Sequence, residues 1–158
     1  MHRFLLFEEG RPATSVVLRN AYMIGADGSA MRADIAFIDG EIRCQKRESG
    51  VAAFATQVPV GDCGELTLQT CLLPERDEPY LLMLELARHR LMVLYNKLED
   101  WGMFDIGPDH PVTKRADLAR RLFIEALCYQ RDDAAKADRL ARDALIAAID
   151  GSEELALA

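Results

Sequence analysis

The sequence predicts an α+β fold, with an N-terminal antiparallel β-sandwich or curled sheet over residues 1–73 followed by a three-helix C-terminal part over residues 74–158. Three observations carry this. Short apolar stretches separated by Gly, Asp and Pro fill the first 73 residues. An Asp39-Gly40 pair sits between two of them, the strongest short-range hairpin signal a sequence offers. After Pro74 the apolar residues change from a period of two to helical spacing.

Taken in order, residues 3–7 and 14–18 read as strands around a Glu8-Glu9-Gly10-Arg11-Pro12 turn, and residues 21–24 run into Gly25-Ala26-Asp27-Gly28, whose glycines tolerate positive φ. Residues 33–38 and 41–46 flank Asp39-Gly40 as a hairpin. Residues 51–58 and 65–73 complete the set, the second alternating Leu66, Leu68, Thr70 and Leu72 against Thr67, Gln69, Cys71 and Leu73. No helical crossover separates these strands, so an antiparallel arrangement is expected throughout.

Glu75, Asp77 and Pro79 suit a helix start, and residues 80–101 read as one long helix that Gly102 stops. Its leucines wrap more than one face, which marks it as the central helix. Beyond the Gly107-Pro108-Asp109-His110-Pro111 loop, Thr113 is a candidate cap for a helix to about residue 130 with Leu118, Leu122 and Leu127 on one stripe. Asp132 or Asp133 caps a third helix to about residue 150, whose inner face is Ala134, Ala137, Ala141, Ala144, Leu145 and Ala148. Gly151 is expected to interrupt it. The few large side chains on this helix, and the closing Leu155-Ala156-Leu157-Ala158, lead us to expect cover from a following domain of a longer chain.

A chain of 158 residues suits one compact unit and can bury about 70% of its unfolded surface. No apolar run approaches the ~20 residues that span a bilayer, and the apolar stretch after His2-Arg3 is cut short by Glu8-Glu9, too early for a signal peptide. Cys44, Cys63, Cys71 and Cys128 show no paired spacing, which points to free thiols in a reducing, cytoplasmic setting. The net charge of −7, spread over both halves, argues against a nucleic-acid partner.

Candidate chemistry is sparse. His2, His89 and His110 are far apart and lack metal-ligand spacing, so neither a metal nor a cofactor is expected. His89 follows Glu85 by four residues and should contact it on the helix surface. There is no nucleophile elbow, phosphate loop or dinucleotide fingerprint, and the pairs Glu75/Asp77 and Glu99/Asp100 read as helix-end charges; no catalytic residue is assigned. Glu85, Arg88, Asn96 and Glu99 lie on a helix apolar almost all round, and buried charge demands partners, so they are expected to form a structural polar network. Tyr80, Tyr95, Trp101 and Phe104 gather around the central helix and its exit. Such side chains usually finish a core; left exposed, they are the candidate carbohydrate-binding platform.

The stretch Thr70-Cys71-Leu72-Leu73-Pro74-Glu75-Arg76-Asp77-Glu78-Pro79-Tyr80-Leu81-Leu82, then Leu84-Glu85-Leu86-Ala87-Arg88 and Asn96-Lys97-Leu98-Glu99-Asp100-Trp101, resembles the N-terminal region of large planctomycete-type proteins related to the glycoside hydrolase family 10 endo-1,4-β-xylanases. Ala21-Tyr22-Met23-Ile24-Gly25 with Asp27-Gly28, and the terminal Ser152-Glu153-Glu154-Leu155-Ala156-Leu157-Ala158, are similar too. In that family the region precedes a (β/α)₈ barrel whose catalytic glutamates lie at strand ends, one in an Asn-Glu pair. This chain has no Asn-Glu dipeptide and falls short of a barrel of about 250 residues, so no catalytic residue carries over. The resemblance implies a non-catalytic accessory domain of a xylanase-like hydrolase, binding polysaccharide or xylo-oligosaccharide or supporting the barrel. The alternative is a helix-mediated interaction or oligomerisation module, which would show an exposed apolar helical face.

Overall fold

A computed structural model describes residues 1–158. The chain runs β1 (His2–Leu5), β2 (Phe7–Glu8), β3 (Arg11–Pro12), β4 (Tyr22–Ile24), β5 (Ala30–Met31), β6 (Ala33–Ile38), β7 (Glu41–Lys46), β8 (Ala53–Pro59), a 3₁₀ turn (Gly61–Cys63), β9 (Glu65–Gln69) and β10 (Tyr80–Leu81). Three helices follow, α1 (Leu82–Asp100), α2 (Pro111–Tyr129) and α3 (Ala134–Leu157). The fold is α+β, with the sheets first and the helices last.

Two four-stranded sheets form, ordered β10-β1-β7-β6 and β5-β4-β8-β9, with β2–β3 standing apart as a small hairpin. The β6–β7 hairpin keeps the register the sequence implied, from Ala33 opposite Lys46 to Ile38 opposite Glu41. Asp39 and Gly40 both take positive φ (51° and 82°), the conformation a two-residue turn of matching twist requires. Phe4 of one sheet stacks on Phe54 of the other, ring centroids 5.0 Å apart and both fully buried, so the sheets meet at their inner faces.

Several expectations change. Residues 14–18 form no strand: Phe7 and Glu8 pair instead with Pro12 and Arg11 across a tight Glu9-Gly10 turn, which leaves the following segment irregular. The sheets are not wholly antiparallel. β1 pairs in parallel with β10, Phe4 beside Tyr80 and Leu5 beside Leu81, and the connection between them is long enough to include every other strand, so no crossover helix is needed. Tyr80 and Leu81 are thereby spent on the sheet edge and α1 starts at Leu82. The cap of α2 is His110, whose Nδ1 accepts the Val112 N–H at 3.2 Å, and Pro111 rather than Thr113 opens the helix. Asp133 caps α3 through the Lys136 N–H at 3.1 Å.

Gly151 does not interrupt α3, which continues to Leu157. A Cβ there would lie 3.2 Å from both Leu94 Cδ2 and Arg115 Cβ, so this glycine permits close helix approach rather than marking a stop. The fully buried residues of α2 are Val112, Ala116, Ala119 and Ala126, with the expected leucines half-buried beside them. On α3, Ala137, Ala141, Ala144, Leu145 and Ala148 are buried, as are Ala147, Ile149 and Leu155. The inner face of α3 is therefore covered by this chain's own helices and sheets. One core of 23 residues takes Phe4, Met23, Ile42 and Phe54 from the sheets and Leu82, Leu84, Leu86, Leu145 and Ile149 from the helices.

Candidate functional site

The first half of α1 is enclosed, Leu82 through Ala87 all being buried, while in its second half only Leu91, Leu94 and Leu98 are buried, against α2 and α3, and the opposite side is open to solvent. The C-terminal end closes as a Schellman cap: the Gly102 N–H donates to Glu99 O (3.0 Å), the Met103 N–H to Leu98 O (2.9 Å), and Gly102 takes φ 62°. Met103 and Ile106 then turn inward onto Leu94, Leu98, Val112 and Leu155. The same geometry turns two aromatics outward. Trp101, at the cap, is 51% exposed, and Phe104, in the turn that follows it, is 63% exposed. Lys97 Nζ lies 5.7 Å from the Trp101 ring centroid.

The other two aromatics of the predicted platform do not join them. Tyr80 is 4% exposed; its hydroxyl donates to Pro74 O at 2.6 Å, the Arg76 guanidinium lies 3.6 Å over its ring, and Phe4 packs beside it at 5.8 Å. Burial pushes the Tyr80 hydroxyl pKa up, with Arg76 pulling against it. Tyr95 is half-buried against the small clusters that join α1 to its neighbours, and burial raises its pKa as well. Tyr80 is a core side chain of β10, and Tyr95 packs at the joint between α1 and its neighbouring helices.

The predicted polar network divides at the same boundary. Glu85 is buried and bonded to Arg88 Nε at 3.0 Å, and Arg88 in turn lies 5.2 Å from the Phe123 ring. Asn96 and Glu99 are exposed on the second half and make no side-chain hydrogen bond. His89 does not contact Glu85, which Arg88 has taken; it is half-buried, and burial lowers its pKa.

Three further polar groupings were not singled out in the sequence. His2 is fully buried, with Nε2 donating to Leu73 O at 2.7 Å and Nδ1 unpartnered; burial lowers its pKa. Beside it Lys46 Nζ meets Glu75 at 3.3 Å, and Glu75 also meets the Met1 ammonium at 3.2 Å. These two cations and the Gly50 N–H hold the Glu75 carboxyl down at about 2. On α3, Asp138 is buried against Arg142. Finally, Cys63 Sγ and the carboxylates of Asp150 and Glu153 lie within 4.8 Å of one another. Burial and the nearby carboxylates push the Cys63 thiol up. One sulfur and two carboxylates fall short of the four ligands of a closed structural zinc site.

No protein-family model, curated protein or solved structure matches the chain.

Proposed function

We propose that this chain is a non-catalytic accessory module of a xylanase-like, glycoside-hydrolase-related protein, and that it binds polysaccharide through the aromatic tip formed by Trp101 and Phe104. The observation that carries the reading is the exposure of these two rings on a helix end whose backbone is fixed by a Schellman cap and whose neighbours Met103 and Ile106 are packed. A rigid aromatic face loses little conformational freedom on binding, and its apolar surface suits the C–H face of a sugar ring. The resemblance of residues 70–101 to the region preceding a xylanase-type barrel supplies the ligand class. Each ring contact is worth about 0.5–1.5 kcal/mol beyond area burial, so two contacts support weak binding.

Trp101 is the only tryptophan, which makes the tip directly observable. Titration with xylohexaose should change its fluorescence saturably and less steeply in Phe104→Ala, and in Trp101→Ala, which removes the reporter, binding followed by calorimetry should be lost while both variants stay folded. A flat titration at accessible concentrations rejects the glycan reading. The second reading, a docking or oligomerisation surface, draws on the exposed apolar side chain of Leu157 at 85%, close along α3 to Leu155, which packs with Leu98 and Val112 at this same end. It predicts concentration-dependent sedimentation that Trp101→Ala abolishes.

A further inference from the structure

Between the segment that joins β3 to β4 and the elements β7, β8 and α1 lies a cleft of about 370 Å³, none of whose lining residues belongs to the aromatic tip. Leu6, Phe7, Val16 and Leu18, all half-buried, give it apolar walls, and it reaches Leu82 and Met83 of the main core. Its polar lining is already engaged within the chain. Arg19 meets Glu65 at 3.4 Å, the Gln57 amide donates to Glu65 at 3.2 Å, the Thr56 hydroxyl donates to Arg19 O at 3.3 Å, and Arg142 donates to Phe7 O at 3.2 Å. The two polar side chains that remain, Glu8 and Ser15, are exposed. A cleft without a free buried partner does not offset the desolvation of a ligand's charged or amide groups, so it selects for apolar surface. One wall is held only at its ends. The Ala13 N–H donates to Leu6 O at 2.9 Å and the Gln57 N–H to Arg19 O at 3.0 Å, while residues 14–18 between them make no backbone hydrogen bond, and a segment of that kind opens at low cost.

We propose that this cleft binds an uncharged, largely hydrocarbon small molecule of about six to ten carbons, with residues 14–18 as a strap that shifts to admit it and then packs Val16 and Leu18 against it. The size follows from the volume. A dry apolar cavity of about 150 Å³ holds benzene, and this cleft is between two and three times as large. The lack of charge follows from the lining, where Arg19 and Arg142 stand against Glu8 and Glu65 and neither sign is in excess.

The probes are 1-butanol, 1-hexanol and 1-octanol, each titrated into the full chain while the methyl groups of Leu6, Val16 and Leu18 are followed by NMR. All three methyl sets should shift saturably with 1-octanol, and each methylene added along the series should tighten binding about fourfold, the value of one buried methylene. Val16→Phe extends the strap's own side chain into the cleft and should weaken 1-octanol binding about tenfold or more at an unchanged urea midpoint; should that variant lose its fold, Leu18→Trp makes the same test from the neighbouring strap position. Four results overturn the proposal: no saturable shift at these methyls with 1-octanol, an affinity that does not depend on chain length, binding that survives the folded blocking variant unchanged, or an affinity that falls as the protein concentration is raised, which would place a second copy of the chain in the cleft instead.

Discussion

Gly151→Ala gives a quantitative test of how tightly the helices are held. On propensity alone the change should stabilise α3, since alanine is favoured over glycine in a helix interior by about 0.8–1 kcal/mol. The new methyl group, however, would sit 3.2 Å from Leu94 Cδ2 and 3.2 Å from Arg115 Cβ. Arg115 Cβ is fixed to the α2 backbone and moves only with that helix, and Leu94 is fully buried in a cluster with Leu98, Val112, Ala116 and Leu155, so its Cδ2 can give way only by disturbing their packing. Overpacking of this kind costs about 1–3 kcal/mol. The packing cost exceeds the propensity gain, and the expected result is a net loss of about 1 kcal/mol. With a urea slope of about 1–3 kcal/mol/M this lowers the midpoint by roughly 0.3–1 M at unchanged slope. Leu94→Ala supplies the second corner of a double-mutant cycle: it is destabilising alone by about 2–5 kcal/mol, but it removes one of the two obstructing atoms. In its background Gly151→Ala should cost less than it does alone. A midpoint that rises in the single variant, or a cycle with no coupling, would refute the packing argument.

Two other outcomes follow from the titrating groups. Burial lowers the His2 pKa below 6.5, so the folded chain binds fewer protons there than the unfolded one; the stability this group supports is complete above its unfolded pKa and declines as pH falls toward the folded value. The urea midpoint should therefore drop between about pH 7 and pH 5.5, with His89 adding in the same direction, and His2→Gln should flatten part of that slope; a midpoint that holds or rises on acidification contradicts it. All four cysteines are free, Cys128 exposed, Cys63 and Cys71 partly covered with raised pKa values, and Cys44 buried with its thiol pushed up to about 12. Thiol titration should find Cys128 reacting first in the native protein and all four reacting after denaturation; two thiols instead of four would reveal a disulfide.

Local chemistry was readable where one residue type has one conformational job. Asp39-Gly40 forms its hairpin, and Gly102 ends α1, because positive φ is required at those positions and little else satisfies it. Gly151 carries the same letter in a similar setting and does the opposite, since its role is set by Leu94 and Arg115, distant in sequence. Tyr80 and Leu81 fit a helical apolar pattern equally well as strand residues, and only the pairing with Phe4 and Leu5 decides between them. Asn96 follows Glu85 by eleven residues, about three full helical turns, so periodicity places both on one face; what periodicity omits is that Glu85 is covered and Asn96 is exposed. Asp138 was accessible in principle. It shares the helical spacing of Ala134, Ala141 and Leu145, an acidic residue on the inner stripe with Arg142 four positions on, and a charge at such a position announces a buried pair.

This division of α1 into an enclosed half and a half open on one side determines which substitutions can report on binding. Tyr80→Ala would remove a hydroxyl bond to Pro74 O, the stacking of Arg76 and a contact with Phe4, all in the main core, at about 3–5 kcal/mol if it behaves like other aromatic truncations there. A loss this large is comparable with the 5–15 kcal/mol that typically separates folded from unfolded chains, so any ligand response lost in that variant would speak of folding alone. Trp101 and Phe104 are more than half exposed, and exposed changes that remove no cap hydrogen bond or buried partner usually stay within about 0.5 kcal/mol. The Schellman cap depends on Gly102 and backbone groups rather than on the Trp101 ring, so Trp101→Ala leaves its hydrogen bonds in place. Binding and stability are therefore separable at the tip and inseparable at Tyr80. Loss of a ligand response in Trp101→Ala at an unchanged urea midpoint would locate the contact surface on the C-terminal end of α1.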